Sequence, residues 1–190
     1  MNCLPILASS VPLYIVNMNR VVLFQPEKPA NIGNIIRTCM ALDCKLTIIG
    51  PLTVSLDEKA LRRAEMDYAI GFDIERVETI DDFLKIHGKE DGYYVTRYSE
   101  NTYCSFDYSD PGKDHWFMFG RESTGIPKDV LKAHYDKTMR IPMAINARSL
   151  NLSNSVAIVL SEALRQQDFY SLATTETIKG RDFLKDYPDD

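Results

Sequence analysis

Three stretches of the chain hold side chains suited to handling negative charge and short polar groups. The first, residues 25–37, reads Gln-Pro-Glu-Lys-Pro-Ala-Asn-Ile-Gly-Asn-Ile-Ile-Arg and ends on the cation Arg37. A guanidinium stays protonated in almost any protein setting, so Arg37 brings a fixed positive charge to this stretch. It follows Asn34 by three residues, about one helical turn, so the two can face the same way. The second stretch, Phe119-Gly-Arg-Glu-Ser-Thr-Gly-Ile-Pro127, is a glycine-hinged turn carrying the carboxylate of Glu122. The third, residues 141–155, is dense in short hydrogen-bonding side chains, among them Ser149, Asn151, Ser153 and Asn154. Such groups either satisfy nearby backbone or line a polar pocket. Each stretch also has a plain structural reading: a capped helix with a solvated arginine, an ordinary strand-to-helix turn, and a helix cap.

The elements that must hold these loops alternate between two hydrophobic periods. Short, mostly apolar runs at 21–24, 46–49, 93–96 and 116–119 predict strands, and Met139-Arg-Ile141 a last one. Helices are expected over 31–41 with Asn31 as N-cap, 57–68, 81–86 ended by Gly88, 127–135 and 153–167. Strands alternating with helices predict an α/β fold with a mainly parallel sheet and helices on both faces. Ligands of such sheets sit outside the carboxyl ends of the strands. The loops after Phe24, Phe119 and Ile141 are therefore the places to look. The last helix carries Val156-Ala-Ile-Val-Leu160, apolar nearly all round, and a small-residue stripe, Ser153, Ala157 and Ser161. That stripe suits close packing in the core or against a second subunit.

Composition excludes several classes. At 190 residues the chain holds one domain able to bury a core without staples. Hydrophobic residues at 45% and charged residues at 26% exclude disorder of the whole chain. The net charge of −5 means that any nucleic-acid contact must use a local patch. Lys59, Arg62 and Arg63 share one face of the helix expected at 57–68, and form the best candidate. Tyr68, Tyr98 and Tyr103 have rings that stack on bases, but with 10 tyrosines none stands out. Gly120 and Gly125 have P-loop spacing, yet Ile126-Pro127 replaces the Lys-Ser/Thr pair, and no Gly-x-Gly-x-x-Gly exists. Cys3, Cys39, Cys44 and Cys104 form no Cys-x-x-Cys pair and read as buried thiols of a reducing, cytoplasmic compartment. The scattered His87, His115 and His134 argue against a metal site. No apolar run is long enough to cross a membrane. Residues 1–17 are expected to be an extension, with Met18 a candidate start. Residues 18–167 form the domain and 168–190 a polar tail.

Taken together and in this order, three motifs resemble those of the SPOUT superfamily of RNA methyltransferases. They are Asn31-Ile-Gly-Asn-Ile-Ile-Arg37, Phe119-Gly-Arg-Glu-Ser-Thr-Gly-Ile-Pro127, and Ile141-Pro-Met followed by Ser149-Leu-Asn-Leu-Ser-Asn154. Within it the chain looks most like the short tRNA wobble-base ribose 2′-O-methyltransferases, through Glu27-Lys-Pro and Leu61-Arg-Arg-Ala with Asp67-Tyr68. The resemblance spans about residues 20–167. It implies a C-terminal trefoil knot and a homodimer with the active site at the interface. The implied cofactor is S-adenosylmethionine, with no metal, and the implied partner is the anticodon stem-loop of tRNA. It places the cofactor against Val95, Thr96, Gly120, Glu122, Ile141, Ser149 and Leu150. Gly120 would leave room for the adenosine. Arg37, reaching in from the other subunit, takes a catalytic role, as a cation that steadies the developing alkoxide and grips the adjacent phosphate or, as the second option, as the base; Asn151 joins it, and Arg62, Arg63 and Arg148 contact RNA. Rival readings are a SPOUT enzyme acting on ribosomal RNA, a non-catalytic RNA-binding protein on the same fold, and a nucleotide-binding oxidoreductase, which lacks its glycine fingerprint.

Overall fold

The computed structural model describes residues 19–52, 70–110, 113–170 and 172–187. Among these, ten α-helices and strands follow in order: β1 (Asn19–Phe24), α1 (Pro29–Ala41), β2 (Lys45–Ile49), β3 (Ile74–Val77), α2 (Ile80–His87), β4 (Asp91–Val95), β5 (His115–Phe119), α3 (Lys128–Ala133), β6 (Thr138–Met139) and α4 (Leu152–Gln166), with a short 3-10 turn, Tyr135–Lys137, before β6. The strands form one sheet in the order β3-β2-β1-β5-β4-β6, and every neighbouring pair is parallel. This is the expected α/β architecture.

The side-chain period of two in a strand divides the apolar residues between two cores. Val21, Leu23, Phe117 and Phe119 point to one face, where Ile32, Ile35 and Ile36 of α1 and Val156, Val159 and Leu160 of α4 cover them. Val22, Trp116 and Met118 point to the other, beneath Phe83 of α2 and Leu131 of α3. Burial on both faces is why these strands read as continuous apolar runs.

Several boundaries differ from expectation. Asn31 is not the cap of α1: the helix begins at Pro29 after Lys28, which makes no side-chain cap. Proline at the first helical position sacrifices no hydrogen bond, and this frees Asn31 to turn inward, where it is buried. The final helix is capped by Asn151, whose side chain accepts from the amides of Ser153 and Asn154. It is not buried all round; Ala157 is half-buried and Ser161 exposed, so the small-residue stripe runs from core to surface. The helix expected at 127–135 stops at Ala133, and β6 is only Thr138–Met139, leaving Ile141 in the loop beyond. Cys39 and Cys44 are buried, and burial pushes the Cys44 thiol up to about 12, but Cys104 is exposed. The helix expected at 57–68, the extension 1–17 and Met18 lie outside the described residues.

β3 was not expected at all. It reads Ile-Glu-Arg-Val, and its inner partner is ionic rather than apolar. Glu75 stands opposite Thr47 of β2 and takes hydrogen bonds from Thr47 Oγ1 at 2.6 Å and Arg20 Nη1 at 2.7 Å. His87 spans Glu75 at 3.0 Å and Glu90 at 2.7 Å through its two ring nitrogens. Burial opposes the charge of Glu75, but Thr47, His87 and Arg20 outweigh it and hold the carboxyl below the usual range.

Candidate active site

The first and second loops are locked by two carboxylates, each satisfied by the other loop. Glu122 accepts from the Glu27 amide at 2.9 Å, the Lys28 amide at 3.2 Å and the Asn31 side-chain amide at 2.8 Å. Glu27 in return accepts from the Ser123 amide at 2.9 Å, the Ser123 hydroxyl at 2.8 Å and Arg121 Nη2 at 3.1 Å. The second loop can present these donors because it is tightly closed. The Gly125 amide donates to the Arg121 carbonyl at 2.9 Å, and Gly125 holds φ +75°, a conformation that disfavours any side chain.

This closure also explains Gly120. A Cβ there would stand 2.1 Å from the Gly125 carbonyl carbon and 2.2 Å from the Ile126 nitrogen. The loop's own backbone, rather than an approaching adenosine alone, demands glycine.

Asn31 carries the lock into the third loop. Its amide donates to Glu122, and its oxygen accepts from Asn151 Nδ2 at 2.9 Å. Asn151 uses its own oxygen to cap α4, through Ser153 N at 2.8 Å and Ser153 Oγ at 2.7 Å. Both carboxylates are held below their ordinary range. For Glu27 the leading cause is its bonding to Ser123. For Glu122 burial opposes ionisation, but Asn31 and the backbone amides prevail.

Above this lock lies a cleft of about 490 Å³ at the carboxyl ends of β4, β5 and β6. Val95, Thr96, Gly120, Glu122, Ile141, Ser149, Leu150, Asn151 and Arg148 all line it, so residues named from three separate stretches converge. Ile126 is buried beneath the cleft and Phe119 closes its base, while the third loop from Ala144 to Leu150 stays exposed. Arg37 does not line this cleft; it stands on the exposed face of α1 with Asn34. Arg62 and Arg63 lie outside the described residues. Among the described residues no group of three His, Cys, Asp or Glu could hold a metal, and no helix is long and apolar enough to cross a membrane.

Sequence reading gave no role to Gln25, Glu27, Arg121 and Ser123. Arg121 also donates to Gln25 Oε1 at 3.1 Å. Their partners lie 94 to 96 residues away, a separation that leaves no local spacing signal. The one local mark is Gln25 itself, held at φ 45°, unusual for a residue with a side chain.

Comparison with known proteins agrees with this geometry. A Geobacillus stearothermophilus protein provisionally named a tRNA (cytidine(34)-2′-O)-methyltransferase is 50% identical over 153 residues, 80% of this chain and 98% of its own. A solved structure described as concerning 2-OH methylation of C/U34 on tRNA is 33% identical with a TM-score of 0.71. It is covered over 80% of this chain and 97% of that one. The SpoU methyltransferase AviRb of Streptomyces viridochromogenes, solved with AdoMet, is 25% identical with a TM-score of 0.67, over 80% of this chain and 62% of that one. The model of the SpoU rRNA Methylase family matches residues 18–161. With three loops locked around one cleft and most of its length matched, this chain belongs to the SpoU methylase family.

Proposed function

We propose that the chain methylates the ribose 2′-hydroxyl of the wobble nucleotide of tRNA, cytidine or modified uridine, using S-adenosylmethionine. The observation that carries this reading is the convergence of the three stretches on one cleft, with the tRNA-modifying relatives in support. The cleft fits the cofactor. It is in the size range of small-molecule sites, has an apolar base at Phe119 and Ile126, and is edged by backbone that a glycine brings close. Val95, Thr96, Gly120, Ile141, Ser149 and Leu150 would hold it, with Glu122 fixing the loops that do so. Bound there, the cofactor supplies a methyl on a sulfonium.

The residues of the chain supply position and charge. The reacting hydroxyl must lie in line with the methyl, so rigid loops contribute directly to rate. The oxygen sheds a proton and becomes anionic as the bond forms. Arg37 stabilises that charge and grips the adjacent phosphate, because a guanidinium is a poor base and a good fork for oxygen. Asn151 acts by holding the third loop to Asn31 and capping α4.

Arg37 is outside the cleft of its own chain, which supports a homodimer in which Arg37 of the partner subunit completes each site. The exposed third loop and the half-exposed Met40 beside Arg37 fit that arrangement. The knot of the family is proposed for the segment after β6. In support, the backbone of Arg140 is clamped between Asn101 and Tyr103 at 2.8 and 2.9 Å as the chain leaves the sheet edge. Arg62, Arg63 and Arg148 are the proposed RNA contacts.

The test is incubation of unmodified tRNA and, separately, ribosomal RNA with the protein and labelled S-adenosylmethionine, followed by nucleoside mapping. A 2′-O-methyl at the first anticodon position is expected. Label in ribosomal RNA but not tRNA would move the substrate, and label in neither would overturn the reading.

A further inference from the structure

One edge of the cleft carries a feature that holding the cofactor does not require. Tyr98 lines the cleft on the turn after β4, yet its ring is 58% exposed. Two cations attend it: Lys128 Nζ stands 4.3 Å from the ring centroid and the Arg97 guanidinium carbon 5.5 Å away. Arg97 also donates to the Arg148 carbonyl at 3.2 Å, joining this turn to the third loop. The mount is firm. The next residue, Ser99, is buried, donates to the Thr138 carbonyl at 2.9 Å, and accepts from the Asn101 amide at 3.1 Å. Of the other tyrosines with candidate rings, Tyr103 packs against the core and Tyr68 lies outside the described residues.

The electrostatics of this rim invert those of the protein. Lys28, Arg97, Arg121, Lys128 and Arg148 line the cleft, against Glu122 as the one carboxylate among its described lining residues. Both oxygens of Glu122 are already engaged. An open aromatic face among cations, in a chain of net charge −5, matches single-stranded nucleic acid: the base stacks on the ring and the flanking phosphates meet the cations. We propose that Tyr98 is a base-stacking positioning residue for a nucleotide flanking the methylated one, with Lys128 moving from the ring to a phosphate as the base arrives. This rests on the reading above for its substrate, and it deepens that reading by naming where the loop RNA lies.

The experiment measures binding of a fluorescent anticodon stem-loop RNA directly, so that it is read apart from turnover. Tyr98→Ala should weaken RNA binding and raise the RNA KM by about tenfold, with kcat within about twofold, as for loss of uniform binding. Tyr98→Phe should restore both, because the phenyl face still stacks. Lys128→Ala should lower the salt slope of binding by about one. S-adenosylhomocysteine affinity, by calorimetry, should not change in any of them. RNA binding unaltered in Tyr98→Ala overturns the proposal. So does an equal loss of S-adenosylhomocysteine affinity, which would make the ring a wall of the cofactor site. If the wild type binds this RNA through Tyr98 but transfers no methyl to it, the wobble-methylation reading fails and the stacking role stands.

Discussion

At the scale of single residues, the proposed chemistry turns on one cation, Arg37, and the rest of the motif supplies its frame. Arg37→Lys keeps the charge but loses the planar fork. Turnover on tRNA should fall by about a hundredfold or more, as when an oxyanion donor is lost, while S-adenosylhomocysteine binding stays at the wild-type value. Near-normal turnover would remove Arg37 from the reaction. Asn31 illustrates how far a sequence reading can go. Its presence at a helix start was legible, but its role was not. The side chain is too far inside the helix to cap it, and instead uses both ends, donating to Glu122 and accepting from Asn151. Only an amide does both. A cap is recognised from neighbours, whereas this bridge joins positions 91 and 120 residues away.

Among the elements, α4 depends on Asn151 for its start, and the third loop depends on it for its place. The two duties separate by substitution. Asn151→Ala loses both, and should cost about 1 kcal/mol for the cap alone, seen as a lowered urea midpoint. Asn151→Ser keeps a capping oxygen but cannot reach Asn31, so stability should recover while S-adenosylhomocysteine affinity stays reduced. Equal recovery of both would show that the link to Asn31 does nothing for the cleft. The doubly buried strands β1, β2, β4 and β5 were readable because burial on both faces leaves them short and mostly apolar, with Thr47 the buried polar residue within β2. β3 was not readable, since Glu75 and Arg76 occupy its middle and its inward partner is Arg20. Sequence period reports apolar burial, and a half-buried edge strand that turns a carboxylate toward a buried arginine sends the opposite signal. The convergence of the site loops was legible only through motif order, since the parallel sheet alone fixes at which edge they emerge.

For the molecule as a whole, seven carboxylates among the described residues are held below their ordinary values, and three of them, Glu27 and Glu122 at the loops and Glu75 on β3, tie together segments far apart in sequence. Such groups add stability above their unfolded value and lose it as pH falls through their folded values. Burial also holds His115 below the ordinary imidazole value, so some stability should be lost as pH falls from about 7, and the carboxylates should add a steeper fall below about pH 4.5. Glu27→Gln with Glu122→Gln should flatten that fall; an unchanged acid profile would place its cause elsewhere. The proposed homodimer with composite sites makes a second prediction. Arg37→Ala and Leu150→Arg should each be inactive, but co-expressed they should regain activity, because a mixed dimer holds one site with neither change. Absence of recovery would show that the cation serves its own chain.

The long reach of the lock also orders events during synthesis. Glu27 leaves the ribosome 95 residues before Glu122, and Asn31 waits a further 29 residues beyond Glu122 for Asn151. Contacts of that sequence separation form slowly and late. A nascent chain can assemble β1, α1 and β2 while the methylating centre does not yet exist, so a stalled or truncated product ending before Asn151 would occupy cellular machinery without modifying any RNA.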